Sequence, residues 1–133
     1  MKTTAKDIMS SKLIVAREGM NIEDAVKLLV NNKITGLPVV NADGQMVGIL
    51  SEYDIIAKVG KEKTIDPKSF KDGIEYSKAV ESVSEETPLH EILERFIQLK
   101  CRRLPVLDSK KRLVGIISRR DVIKVLYYRA KVS

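Results

Sequence analysis

Tryptophan is absent from this 133-residue chain, phenylalanine occurs twice, and there is one cysteine, Cys101, and one histidine, His90. A single cysteine cannot close an internal disulfide, and neither residue has a Cys or His partner at metal-ligand spacing, so no metal site is expected. Cys101 reads as a small residue near the core and His90 as a helix-surface residue. No apolar run approaches the roughly 18 residues of a membrane helix, and the opening residues Met1 to Ser10 lack the apolar stretch of a signal peptide. A cytoplasmic protein with no membrane association is the expectation. Neither a G-x-x-x-x-G-K-[ST] loop nor a G-x-G-x-x-G turn occurs. With no catalytic constellation in view, the chain reads as a non-enzyme with no catalytic residues and no cofactor.

Basic residues outnumber acidic ones in one half only. Residues 1 to 66 hold nine basic and nine acidic side chains, whereas residues 67 to 133 hold 15 basic against nine acidic, so the whole net charge of +6 lies in the second half. An anionic ligand should favour that half.

What the sequence does contain is itself, twice. Leu37-Pro38-Val39-Val40 is echoed by Leu104-Pro105-Val106-Leu107, and the same offset of 67 carries Val47-Gly48-Ile49-Leu50-Ser51 onto Val114-Gly115-Ile116-Ile117-Ser118 and Asp54 onto Asp121. Upstream, Ile22, Ala25, Val26, Leu29 and Val30 mark one amphipathic helix face, and Leu89, Ile92, Leu93, Phe96 and Ile97 repeat it. Each copy reads as strand, helix, strand, strand, helix. Asn21 and Thr87-Pro88 start the first helices, and Asn41-Ala42-Asp43-Gly44 is a hairpin turn. Its counterpart, Asp108-Ser109-Lys110-Lys111, is expected to be looser. The fold class is therefore α/β (α+β), two β-α-β-β-α repeats packed through their sheets with pseudo-twofold symmetry. The first repeat spans 1–60 and the second 77–133, with 61–76 a linker or inserted loop of little periodicity.

The chemistry sits where the third strand of each copy hands over to a helix: Gly48-x-x-Ser51-x-x-Asp54 and Gly115-x-x-Ser118-x-x-Asp121. A helix N-terminus attracts anions. There Ser can donate to a phosphate or ribose oxygen, Asp can accept from neighbouring ribose hydroxyls, and Gly removes bulk next to a ligand. The same spacing is also a capping box that starts a helix, and the glycines fit strand bulges equally well. Arg102, Arg103, Arg119 and Arg120 cluster around the second motif, as a phosphate site or a solvated basic face. Their first-copy counterparts, Thr35, Gly36, Glu52 and Tyr53, carry no positive charge.

From Lys6-Asp7-Ile8-Met9 to about Tyr127, the duplicated motifs make the chain resemble a tandem pair of cystathionine-β-synthase-type (CBS) domains, a Bateman module. The resemblance implies clefts between the repeats for adenosyl ligands such as AMP, ADP, ATP or S-adenosylmethionine, and frequent homodimers. In the main cleft it implies a base near Lys12, Ile14, Ile34, Thr35 and Pro38. The ribose would then meet Asp121, and phosphate would meet Ser118, Arg102, Arg103 and Arg120. The second cleft would use Ser51 and Asp54 with Lys78, Val80, Cys101 and Arg102. Family members often carry a small hydroxyl where Arg120 and Tyr53 stand, and Tyr53 would either block that cleft or stack on a ring. The implied function is a stand-alone regulatory module that signals to a separate effector protein. Two alternatives stand beside it. One is a purely structural dimerisation module, and the other a nucleic-acid binder using the basic second half, disfavoured because no aromatic residues interleave with its basic ones.

Overall fold

The structure, a computed structural model, describes residues 2–61 and 63–132. Met1, Glu62 and Ser133, which fall within the expected segments, lie outside the described residues. A short helix α1 (Ala5–Ile8) precedes β1 (Ala16–Arg17), α2 (Ile22–Asn32), β2 (Gly36–Val40), β3 (Met46–Ser51) and α3 (Glu52–Val59). A 3-10 helix η1 (Pro67–Lys71) leads to β4 (Val83–Ser84), α4 (Leu89–Leu99), β5 (Arg103–Leu107), β6 (Leu113–Ser118) and α5 (Arg119–Val132). The β-α-β-β-α order is thus present twice, as two three-stranded sheets ordered β1-β2-β3 and β4-β5-β6.

Local chemistry fixes the helix ends. The Asn21 side chain accepts from the Asp24 N–H at 2.8 Å and starts α2. Both α2 and α4 stop at a lysine in the left-handed conformation, Lys33 (φ 53°) and Lys100 (φ 52°), whose N–H groups return to the last carbonyls. These lysines are themselves 67 residues apart.

The fold divides into two compact units that do not follow the order of the chain. One comprises 14–80, and the other joins 1–13 to 81–133. Each unit is therefore the body of one repeat plus the opening segment of the other, a different cut from the expected 1–60 and 77–133. The bonds behind this are reciprocal. Ser10 exchanges two backbone hydrogen bonds with Ile116 of β6 (2.8 and 2.9 Å), and Ser77 does the same with Ile49 of β3 (3.0 and 2.9 Å). Ser10 and Ser77 also stand 67 residues apart. Each unit has its own apolar core. In one it is Ala16, Ala25, Leu29, Leu37, Val39 and Leu50. In the other, Val83, Ile92, Leu104, Val106, Ile117 and Val122 are joined by Ala5 from the opening segment.

Three expectations can be set against the structure in detail. The stretch 61–76, expected as a linker or inserted loop, carries η1 at its centre, opened by Asp66, whose carboxylate accepts from the Lys68 N–H at 2.9 Å. Ile74 then bonds to the Met20 carbonyl at 2.9 Å, and Ile74 and Tyr76 pack against the unit's core. Its apolar residues dock one at a time, so they leave no periodicity. The second hairpin turn is not looser than the first. Asn41 Oδ1 accepts from the Asp43 and Gln45 N–H groups, and Asp108 Oδ1 accepts from those of Lys110 and Arg112 in the same pattern. Lys111 simply takes the left-handed conformation (φ 65°) that Gly44 (φ 80°) takes in the first copy.

The third concerns the motif glycines. In each hairpin the register shifts beside the glycine, so Val47 and Val114 are the additional residues and Gly48 and Gly115 pair with Val39 and Val106. The space above each glycine holds the exchanged segment of the same unit, not room for a ligand. A Cβ on Gly48 would meet the Ser77 carbonyl and the Tyr76 ring, and one on Gly115 would lie 2.7 Å from Met9 Cγ.

Two stability tests follow from these placements, both read by denaturant unfolding. Gly48→Ala should destabilise by about 1 to 3 kcal/mol, because a carbonyl and a ring must move. Gly115→Ala should cost less, its obstacle being a flexible methionine. Lys111→Gly should stabilise by up to about 1 kcal/mol by relieving the left-handed strain, and Gly44→Ala should do the reverse.

Candidate ligand-binding site

Both Gly-x-x-Ser-x-x-Asp motifs form the capping box that their spacing allows. In the first, the Ser51 N–H and hydroxyl both donate to Asp54 Oδ2 (2.8 and 3.0 Å), and the Asp54 N–H donates to Ser51 Oγ at 3.2 Å. In the second, the Ser118 N–H donates to Asp121 Oδ2 at 2.8 Å and the Asp121 N–H to Ser118 Oγ at 3.1 Å. The difference is chemical. The Ser51 proton is committed to Asp54, while the Ser118 hydroxyl donates to no other group among the described residues. In both boxes the carboxylate bonds engage Oδ2 and leave Oδ1 outside the cap.

The strand register gathers the basic residues around the second box. Arg103 pairs directly with Ser118 across β5 and β6, and cross-strand partners share a face of the sheet. The Arg102 carbonyl accepts from the Arg119 N–H at 3.2 Å, so Arg102 also lies at the start of α5. Arg102, Arg103 and Arg120 are exposed, and Ser118 and Asp121 are half-buried. Lys12, also exposed, follows Ser10 by two residues, and its N–H donates to Ser10 Oγ at 3.3 Å. Ser10 bonds to Ile116, two residues before Ser118. One unit therefore brings Lys12, Arg102, Arg103, Ser118, Arg120 and Asp121 to the end of one strand.

Arg119 has a different task. Its Nε and Nη2 donate to the Cys101 and Lys100 carbonyls, each at 2.8 Å, which closes the C-terminal end of α4. It braces the segment that carries Arg102. Cys101 belongs to this same unit, half-buried against its core, and burial pushes the thiol above its ordinary value.

The other unit holds the remaining predicted residues. Ile14 and Ile34 pack partly into its core, Pro38 is buried within β2 opposite Ile49, and Thr35 is exposed. The Thr35 carbonyl accepts from the Glu52 N–H at 3.0 Å, the counterpart of the Arg102 bond. Tyr53, 75% exposed, lies between Ser51 and Asp54 in the chain; Lys78, exposed, follows the Ser77 bridge to β3, and Val80 is half-buried. Cys101 and Arg102, expected beside them, are not part of this unit. Lys58 on α3 ties the segment before Lys78 through a 2.7 Å ion pair to Glu75, which lowers the Glu75 pKa and raises that of Lys58.

Sequence reasoning missed Ser10 and Ser77 as anchors and Arg119 as a brace. Extending the 67-residue offset back to Ser10 would have flagged the first pair. Arg119 left no signal, since its partners are main-chain carbonyls.

Residues 5–61 and 73–128 each match the family model described as the CBS domain. The chain belongs to the CBS domain family. Among curated relatives, the chloroplastic CBS domain-containing protein CBSX1 of Arabidopsis thaliana is 32% identical over 91% of this chain and 63% of its own length. A homoserine O-acetyltransferase of Methanococcoides burtonii is likewise 32% identical, over 93% of this chain but only 24% of its own length. The chain thus spans between about a quarter and just under two thirds of the curated relatives first matched. Among solved structures, CBSX2, also from Arabidopsis thaliana, has a TM-score of 0.83 at 28% identity, covering 98% of this chain and 99% of that one. CBSX2 in complex with AMP scores 0.76 at 28% identity, covering 96% and 98%. The CBS domain pair of protein MJ0100, in complex with 5′-methylthioadenosine and S-adenosyl-L-methionine, scores 0.73 at 26% identity, covering 97% and 99%. No helix among the described residues is long and apolar enough to cross a membrane.

The brace and the free arginine should behave differently in unfolding titrations. Arg119→Ala, which loses two carbonyl bonds at the end of α4, should destabilise by about 1 kcal/mol. Arg120→Ala should stay within about 0.5 kcal/mol of the parent.

Proposed function

We propose that this CBS pair is a regulatory module that binds a phosphorylated adenosine ligand at the Ser118–Asp121 motif and catalyses no reaction itself. The observation that carries the reading is the convergence, in one unit, of an uncommitted serine hydroxyl, the N-terminus of α5 and three exposed arginines. Phosphate accepts from Ser118 and is neutralised by Arg102, Arg103 and Arg120. The ribose hydroxyls donate to Asp121, whose Oδ1 lies outside the cap. Of the base-side residues that the family resemblance names, Lys12 belongs to this same unit. Complexes of relatives with AMP and with S-adenosyl-L-methionine support the ligand class.

The Ser51–Asp54 motif has the same cap but lacks the arginines, its serine proton is committed, and Tyr53 stands in the place of Arg120. We assign it the weaker site. An adenosyl ligand without phosphate suits it better than a nucleotide, with Lys78 and Val80 as the further residues of this unit that the family resemblance names. Exposed apolar residues recur at equivalent helix positions, Val30 with Ile97 and Ile56 with Ile123. Such duplication supports a homodimer built through the helices, and signalling to an effector protein would then follow from ligand preference between two dimer arrangements. The compartment assigned is the cytoplasm.

Thermal unfolding of protein stripped of copurified ligand tests this reading against AMP, ADP, ATP and S-adenosylmethionine. A ligand at 100 times its dissociation constant stabilises by about 2.7 kcal/mol, roughly 3 to 6 °C at this size. AMP, ADP or ATP should give that rise. Asp121→Ala should weaken binding by about 1 to 3 kcal/mol at a cap cost of roughly 1 kcal/mol, while Asp54→Ala pays the same cap cost and keeps nucleotide affinity. Equal losses in the two variants would contradict the assignment.

A further inference from the structure

The last helix is longer than its counterpart, and the excess has a consistent character. α3 ends at Val59, whereas α5 continues to Val132. Residues 100–132 contain eleven Lys or Arg and two acids. Both acids are bound locally, Asp108 to Arg112 at 2.8 Å and Asp121 to the Ser118 N–H.

Along α5, Arg120, Lys124, Tyr127 and Lys131 follow at spacings of four, three and four, which places them on one ridge. All four are exposed, while Val122 on the other side is buried and Val125 half-buried, so the ridge faces solvent. Tyr127 and Tyr128 are 59% and 66% exposed, with their rings edge to face at 6.2 Å. The Lys131 ammonium lies 5.5 Å from the Tyr127 ring centroid. This corrects the expectation that no aromatic residues interleave with the basic ones. Tyr127 and Tyr128 do so, and the helix presents them outward.

We propose that this ridge is a docking surface for single-stranded nucleic acid. Lys124, Lys131 and Arg120 follow the phosphates, and the tyrosine rings stack on exposed bases. Charge complementarity selects a polyanion. Adjacent exposed rings between the cations favour one with flat, unpaired bases over an acidic peptide or an anionic lipid surface, which have no use for a stacking face.

Fluorescence anisotropy with the full chain tests the proposal, using a labelled single-stranded oligonucleotide of about 12 nucleotides. Its base-paired duplex, inorganic polyphosphate and anionic lipid vesicles serve as competitors. The single strand should bind at low salt with a log–log salt slope of about −2 to −3, as expected for three or four phosphates. The double variant Tyr127→Ala/Tyr128→Ala should bind it between about fivefold and 100-fold more weakly and retain its affinity for polyphosphate. Lys124→Glu/Lys131→Glu should lose both, and circular dichroism should show α5 intact in each variant. No binding at low salt, equal binding of duplex, stronger competition by vesicles, or a tyrosine variant that binds the oligonucleotide unchanged would each overturn the proposal.

Discussion

Two pairs of backbone hydrogen bonds hold this architecture in its particular form: Ser10 with Ile116, and Ser77 with Ile49. Each pair lays the opening segment of one repeat across the third strand of the other. A side chain at the crossing would collide with the segment, which is why Gly48 and Gly115 stand there. The same crossing delivers Lys12 alongside the strand that ends in Ser118, and Lys78 alongside the strand that ends in Ser51. The Ser118 motif, local in the sequence, thus has beside its strand a segment from the far end of the chain, whereas the Ser51 motif has one that follows it closely.

Duplication gives the two units the same mechanical parts and lets their chemistry diverge. The capping boxes, the left-handed lysine caps and the hairpin turns recur at one offset, so the positions of the two motifs are fixed alike. Charge is not fixed by these parts. Glu52 and Tyr53 in one copy become Arg119 and Arg120 in the other, and of those two arginines Arg119 is spent closing α4. The division matters because a guanidinium that bonds two main-chain carbonyls is already partly satisfied, whereas Arg102, Arg103 and Arg120 are exposed.

Much of this was legible in the sequence. The order of elements followed from hydrophobic spacing and the capping boxes from Ser-x-x-Asp, while the placing of Arg102 and Arg103 near Ser118 was implied by the family resemblance. Other features were not. Periodicity cannot report η1 or the docking of Ile74 and Tyr76, because those side chains insert singly. Of the two readings open for the glycines, ligand room and strand bulge, the register shift beside each fits the second, and a tight approach by the chain itself leaves the same mark as a ligand. The turn at Asp108 seemed loose only because Lys111 accepts a conformation usually left to glycine.

The central claim is that nucleotide engages the Ser118–Asp121 motif in preference to Ser51–Asp54, and amide shift mapping by nuclear magnetic resonance during an AMP titration tests it most directly. Preferential binding predicts that the N–H signals of Ser118, Arg119, Arg120 and Asp121, together with that of Lys12, move at the lowest AMP concentrations, before those of Ser51 to Asp54. Shifts that appear first at Ser51 to Asp54, or at neither motif, would contradict it.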